Sequence, residues 1–463
     1  MGDLVENTAK LQLSPPAFGK ELLKEFLFDP TYRNLNHGSF GTIPRPVQAA
    51  LRAYQDAAEA RPDQFIRYTS QQPQRESRQA VADLLNAPLS TVVFVTNATT
   101  GVNTVLRNLE WNSDGRDEIL SFSTVYGGCG KTIDYMVDSH KGLVSSRTIP
   151  LAYPLEDDEI IALFREAVAK AKEEGKRPVI CLFDAVTSLP GVRFPFEAMT
   201  AACRDLGVAS LIDGAQGVGM VEFDLTALDP DYFVSNCHKW LHTPRGCAVF
   251  YVPERNQHLM ASSVPTSHGY VPKSGAARFN PLPASGDSPF VANFGFVGTY
   301  DKSPNFCVKD AIEWRRSVGG EKKILEYTWN LAKEGGKKAA AILGTYILDN
   351  KAETLTKCSM VNVALPMLVS DSAETVSTGP DGTVTVPLKE VGAVLSWILE
   401  TLIGEYRTFV ALFWHGGRFF VRVSAQIYLD EEDFEWIGHT MKEVCQRVGR
   451  LEYKAKAEKT SQA

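Results

Sequence analysis

The sequence predicts an α/β fold, with a large domain built on a mainly parallel sheet and a smaller C-terminal α+β domain. Three observations carry that expectation. Short, continuous apolar runs alternate with helical stretches between residues 91 and 252, the pattern of strands covered on both faces. The last third regroups into a long helix, then strands gathered together, then a final helix, the order of an α+β unit. With 463 residues and 44% hydrophobic composition, the chain has enough apolar material for two or more domains.

The elements follow in order. FGKELLKEFLF (18 to 28) reads as a short helix, followed by the Gly- and Pro-punctuated loop NLNHGSFGTIPRP. Amphipathic helices are expected near 46 to 60 and 72 to 86. TVVFVT (91 to 96) is a strand leading into a helix near Thr99, and DEILSFS (117 to 123) is a strand leading into a segment around Tyr126. A charged helix at 155 to 174 precedes the strands PVICLFD, VASLID, DYFVSN and GCAVFYV, which end at residue 252. A long helix near 310 to 345 then leads to KCSMVNVAL, a helix near 388 to 403, FVALFW, RFFVRVS and a last helix near 431 to 449. The polar stretch 370 to 387 is expected to be an exposed loop. The domain reading is an N-terminal segment 1–45 packing near the active site and small domain, a large domain 46–310, a connecting helix and small domain 311–455, and a tail 456–463.

Composition narrows the function. There are 48 basic and 55 acidic residues, a formal charge of −7, and the basic ones are dispersed, which argues against nucleic acid as a partner. No stretch approaches the roughly 18 apolar residues of a membrane helix, and MGDLVENTAK does not resemble a secretory signal. The eight cysteines, at 129, 181, 203, 237, 247, 307, 358 and 445, form no CxxC pair and sit mostly in apolar runs. Buried free thiols in a cytoplasmic protein are the expectation, and no Cys/His cluster suggests a metal.

The chemistry concentrates in DGAQGVGM (213 to 220) and SNCHKWLHTPRG (235 to 246). Asp213 falls at the carboxyl end of an expected parallel strand, where open α/β sheets place ligands. Lys239 follows 26 residues later, just past the next strand, among Cys237, His238 and Trp240. Apolar neighbours favour the neutral amine, and a neutral amine can form an imine with an aldehyde. The plain alternative is a strand-end lysine that snorkels to solvent.

These segments resemble the core of class V, fold-type I pyridoxal-phosphate enzymes, which include cysteine desulfurases, kynureninases and isopenicillin-N-epimerase-like proteins. The resemblance implies that pyridoxal 5'-phosphate is held as a Schiff base on Lys239, that Asp213 pairs with the pyridine nitrogen and that Gln216 contacts the ring hydroxyl. VTNATTGVN (95 to 103) runs from strand into helix, where backbone amides suit a phosphate. There Ala98 and Thr99 match the family's phosphate-binding pair, with Asn236 and His238 as further phosphate contacts. Tyr126, in STVYGGCG, occupies the position that stacks on the ring. FVGTYD resembles the element whose threonine, here Thr299, reaches the neighbouring subunit's phosphate, which implies a homodimer with shared active sites. RFFVRVSAQIYL resembles the strand whose arginine, here Arg422, binds the substrate carboxylate.

NLNHGSFGTIP, EARPDQFIRY, TNATTGVNTVLRN, GKTIDY, SNCHKWLHTPRGCAVFYVPERNQHL, PTSHGY and RFNPL together are similar to fungal ergothioneine-biosynthesis lyases that act on hercynylcysteine sulfoxide. That resemblance implies C–S β-elimination to a sulfenic acid, pyruvate and ammonia. Lys239 would act as the α-proton base and Tyr126 as the acid for the leaving group. His37, in the NHGSFG loop, would help bind the imidazole-bearing part of the substrate. A desulfurase would need a mobile nucleophilic cysteine, for which Cys358 in KCSMVNVAL is the nearest candidate and reads as buried. A racemase would need a second base. A catalytically silent homologue would not need Lys239, Asp213 and Arg422 together.

Overall fold

The computed structural model describes residues 17–276, 278–283 and 286–454, so the tail expected from 456 to 463 lies outside them. Seven strands form the main sheet: β1 (Val92–Val95), β2 (Asp117–Phe122), β3 (Val144–Ile149), β4 (Arg177–Asp184), β5 (Ala209–Asp213), β6 (Tyr232–Asn236) and β7 (Ala248–Tyr251). Their order is β1-β7-β6-β5-β4-β2-β3. The run from β6 to β3 is parallel, and β7 lies antiparallel to both β1 and β6. Alternate side chains enter two different cores. Cys181 and Phe183 pack with Phe94, Phe164 and Phe194 on one face. Ile180 and Leu182 pack with Val102, Ile133 and Val234 on the other. Because both faces are covered, the period-2 polarity of a half-exposed strand disappears and the strands read as unbroken apolar runs.

The helices that shape this part are α1 (Arg45–Ala60), α2 (Gln71–Leu84), α3 (Ala98–Asn108), α4 (Gly127–Ser139), α5 (Asp157–Glu173), α6 (Phe196–Leu206), the single turn α7 (Cys237–Trp240) and α8 (Ser303–Ser317), with shorter ones between them. The apolar stripes of α2, α5 and α6 cover the first face, and those of α3 and α4 cover the second. α5 starts on a reciprocal cap between Glu156 and Glu159, which satisfies two otherwise unpartnered amides.

The smaller unit holds β8 (Met360–Ser370), β9 (Ser377–Thr378), β10 (Val384–Pro387), β11 (Ala411–His415) and β12 (Arg418–Ser424), in the order β9-β10-β8-β12-β11. Against it pack α9 (Glu321–Leu343), α10 (Val391–Gly404) and α11 (Glu431–Gly449). Leu22, Phe26 and Leu35, together with Val47 of α1, join this core, and Arg33–Asn34 pairs in parallel with Thr408–Phe409. Residues 22 to 35 are thereby fixed to the small unit.

The structure corrects four expectations. Strand β3 was not foreseen: VSSRTI is an edge strand whose Ser146 and Thr148 face solvent, so it lacks the apolar signal of its neighbours. The single helix expected at 310 to 345 is two, α8 and α9, broken where Gly319 and Gly320 take φ values of 143° and 83°. The stretch 370 to 387 is not all exposed loop, because β10 pairs with β8 and buries Val384 and Val386. The first helix is one turn, Lys20–Leu23.

Candidate active site

Parallel strands that end together bring their last residues to one edge. Here β4, β5 and β6 end in Asp184, Asp213 and Asn236, and Asp184 and Asp213 are register partners. Asp213 is 3% exposed; one carboxylate oxygen accepts the Ala215 N–H at 2.9 Å and the other accepts the Cys129 thiol at 3.4 Å. Burial raises its pKa, while these two bonds and the Lys239 charge pull it back down. Asp184, buried beside it, is raised well above the usual carboxylate range by burial and by the Asp213 charge. Neither Asp184 nor Cys129 was singled out from sequence. The signal for Asp184 was present, since PVICLFD ends in an aspartate just as VASLID does.

Lys239 sits in α7, directly past β6. Burial lowers its amine to about 8, and the Arg422 charge adds to that, against the pull of Asp213 and Asp184. The neighbouring His238 gives Nδ1 to the Cys247 carbonyl at 2.9 Å, and burial lowers it to about 4, so the ring is neutral at physiological pH.

At the start of α3, Asn97 is the cap, its side chain accepting the Thr100 N–H at 2.8 Å. The Ala98 N–H is taken by the Asn236 side chain at 2.8 Å, which ties the end of β6 to this helix. Those bonds leave Thr99 as the first-turn amide for a ligand. Tyr126 caps α4 and is 50% exposed. A Cβ on Gly128 would stand 3.1 Å from the Tyr126 ring and 3.9 Å from Thr99 Cγ2, so this glycine lets the ring lie against the α3 N-terminus. Gln216 is buried, with its amide N–H on the Gly38 carbonyl at 2.7 Å and its oxygen on Trp240 Nε1 at 2.7 Å, leaving one amide hydrogen. Thr299 is exposed on a bend, and no hydrogen bond joins it to the described residues around Lys239.

Arg422 projects from β12 and is 2% exposed. Its guanidinium donates to the Ser188 carbonyl at 2.8 Å, to Asn36 Oδ1 at 2.9 Å and to Ser39 Oγ at 3.0 Å. Its Nε has no partner, and no carboxylate of the described residues lies in salt-bridge range. Burial lowers it to about 10. A buried cation surrounded by neutral oxygens is a costly arrangement that an anionic ligand relieves. Gly191 packs on its stem, where a Cβ would meet Arg422 Cδ at 2.6 Å, and Asn362 clamps Gly191 through bonds of 2.8 and 2.9 Å.

His37 departs from its expectation as a substrate contact. It is 1% exposed, with Nδ1 at 3.0 Å from the Tyr428 hydroxyl and Nε2 at 2.7 Å from the Lys239 carbonyl. Both ring nitrogens are used inside the protein, so neither is left for a substrate. Cys358 is fully buried and its thiol is pushed up to about 11, which does not suit a nucleophile on a mobile loop.

A half-buried amine lowered toward neutrality, a strand-end carboxylate and a helix N-terminus lined by Tyr126 fit a phosphorylated pyridine aldehyde. They define the site of a pyridoxal-phosphate enzyme, and the cofactor is pyridoxal 5'-phosphate. The chain belongs to the class V aminotransferase family, whose model matches residues 41–126 and 164–280. It is 36% identical to an L-cysteine desulfhydrase-like protein of Epichloe uncinata, over 93% of this chain and 96% of that one. It is 30% identical to the hercynylcysteine sulfoxide lyase of Schizosaccharomyces pombe, over 92% of this chain and 98% of the relative. Among solved structures, a cystine C–S lyase complexed with its product cysteine persulfide superposes with a TM-score of 0.66 at 19% identity, over 89% of this chain and 98% of that one, and so shares the fold. The protein is a pyridoxal-phosphate enzyme of the carbon–sulfur lyase type.

Proposed function

We propose that this lyase cleaves hercynylcysteine sulfoxide to a sulfenic acid, pyruvate and ammonia. The observation that carries the amino-acid part is Arg422, a buried guanidinium with an unpartnered Nε and no carboxylate of its own, suited to gripping the substrate's α-carboxylate. The sulfoxide part is supported by similarity along almost the whole length to the Schizosaccharomyces pombe enzyme.

In this reading Lys239 would hold the cofactor and Asp213 would pair with its ring nitrogen. Thr99, Asn236 and His238 would hold the phosphate, while Ala98, whose N–H is taken by Asn236, departs from its expectation as a phosphate contact; Gln216 would offer its remaining amide hydrogen to the ring hydroxyl, and Tyr126 would stack on the ring. When bound, the cofactor supplies a sink for the electron pair left at the substrate's α-carbon. Lys239, lowered to about 8, would take the α-proton at its Nζ. Arg422 fixes the carboxylate so that the α C–H bond faces Lys239. Tyr126, half exposed above the site, gives a proton to the departing sulfur group. Thr299 serves the active site of a second copy in a homodimer, and eight buried free thiols suit a cytoplasmic setting.

A second reading is favoured by the desulfhydrase-like names of the 36% identical relatives: free L-cysteine as substrate, with sulfide as the leaving group. One assay separates them. Cofactor-loaded protein is given hercynylcysteine sulfoxide, the thioether and L-cysteine in parallel, and pyruvate is measured. Pyruvate from the sulfoxide well above the other two supports the proposal. Pyruvate from L-cysteine alone replaces it with the second reading, and no pyruvate together with inversion at an amino acid's α-carbon sinks both.

A further inference from the structure

The turn that carries Lys239 has almost no means of holding itself. A four-residue helix is all ends, so its carbonyls find no partners within the helix. In α7 they are held from outside. The Cys237 carbonyl accepts the Thr243 N–H at 3.4 Å, and the Trp240 carbonyl accepts Arg315 Nη1 at 2.8 Å. The His238 carbonyl is covered by Gly41, where an added Cβ would fall 1.8 Å from its oxygen. The Lys239 carbonyl is held by a single side chain, His37.

The bonds around His37 fix its tautomer. A carbonyl only accepts, so Nε2 must carry the hydrogen that bridges the 2.7 Å to Lys239. Nδ1 is then the acceptor for the Tyr428 O–H at 3.0 Å. The Tyr428 oxygen in turn accepts the Asn34 amide N–H at 2.8 Å. The result is a directed chain, Asn34 to Tyr428 to His37 to the Lys239 backbone. It starts on the N-terminal segment, crosses the small unit and ends at the lysine. Burial keeps the His37 ring neutral, lowering it to about 4, so the chain holds its direction across the physiological range.

We propose that His37 is a positioning residue for Lys239, holding the lysine's carbonyl so that its amine keeps its place between the cofactor and the substrate's α-carbon. This rests on Lys239 as the cofactor lysine. It differs from a substrate contact because His37 faces the backbone beneath the lysine, and it differs from a general packing role because the needed property is one N–H aimed at one carbonyl.

The experiment compares His37→Gln, His37→Phe and Tyr428→Phe with the parent, all cofactor-loaded and matched for cofactor content. A glutamine amide can place an N–H where Nε2–H stood, and phenylalanine cannot. His37→Phe should lower kcat on the order of 10- to 100-fold with KM within about threefold, as expected for a misplaced reacting group. It should also shift the pH midpoint of the cofactor's visible absorbance. His37→Gln should recover kcat to within about fivefold and restore the midpoint. Tyr428→Phe keeps His37 but removes the donor that anchors Nδ1, so the ring is held less firmly, and should give a smaller fall in kcat at constant KM, which keeps the test open if His37→Phe does not fold. A rise in KM without a fall in kcat would return His37 to substrate binding and overturn the proposal. So would equal kcat losses in the Gln and Phe variants, or unchanged kcat in Tyr428→Phe. Lys239→Ala, run alongside, tests the underlying reading separately: cofactor still trapped covalently by borohydride in that variant would remove Lys239 as the anchor, whatever the His37 variants show.

Discussion

The thiol of Cys129 donates to Oδ2 of Asp213 at 3.4 Å, from the first turn of α4 to the last residue of β5. That bond supplies one of the two donors on a carboxylate that burial alone would push toward protonation. Cys129 is thus a support for the Asp213 carboxylate, and a thiol serves because its hydrogen lies within reach of it. Cys129→Val keeps the size and removes the donor. We expect it to cost about 1–3 kcal/mol of stability in the cofactor-free protein, the penalty of an unsatisfied buried acceptor. Without the donor, the folded-state pKa of Asp213 moves further above its unfolded value. The folded state then holds the proton longer, so the loss is full above the folded pKa and fades as pH falls toward 3.8. Urea unfolding midpoints at pH 5 and pH 7.5 measure this; an equal loss at both would assign it to packing.

Arg422 spans the Ser188 carbonyl and Asn36 Oδ1 with two different nitrogens, a reach that one ammonium cannot reproduce. Arg422→Lys is expected to lower kcat/KM for amino-acid substrates about 100-fold or more, roughly 3 kcal/mol at 1.4 kcal/mol per tenfold. Most of it should appear in KM. Substrate analogues lacking the α-carboxylate provide the control, since parent and variant should handle them within a few-fold of each other.

Lys239 has a folded-state pKa of about 8 against an ordinary value of 10.5. Between those values the unfolded chain binds more protons, so stability of the cofactor-free protein should rise with pH across that window. The burial cost is full below about 8 and gone above 10.5. Cofactor capture should follow the same amine. Its rate should climb steeply below pH 8 and level off above it, while that of free acetyl-lysine, run alongside, keeps climbing toward 10.5. A rate that keeps climbing to pH 10 would mean the amine is not lowered.

All eight cysteines are free and buried. Aromatic disulfide reagents should therefore find no fast-reacting thiol in the native protein and eight after denaturation. Iodoacetamide should leave pyruvate release intact. Rapid alkylation at Cys358 with loss of activity would revive a desulfurase-like mechanism.

Much of the site was legible because its residues stand at places that local patterns mark. Asp213 ends an apolar run, Lys239 follows the next, and Asn97 precedes a helix whose cap chemistry needs only three residues. The fold class followed from the same alternation of runs and helices. The misses have one cause as well. Val144–Ile149 turns Ser146 and Thr148 to solvent and Val384–Pro387 is four residues in a polar surround, so only their pairing with β2 and β8 marks either as a strand. Gly319 and Gly320 read as tolerable glycines until their backbone angles divide the helix.

The sequence by itself determined the strand ends, with Lys239 just past one of them and a carboxylate 26 residues before it, since strand periodicity and local spacing decide such features. Only the tertiary structure decided what His37, Cys129 and Asp184 touch. His37 lies 202 residues from Lys239 and 391 from Tyr428 along the chain, and Cys129 lies 84 from Asp213. The role of a buried polar side chain is set by which partner satisfies it, and packing brings those partners together from segments that no local pattern connects.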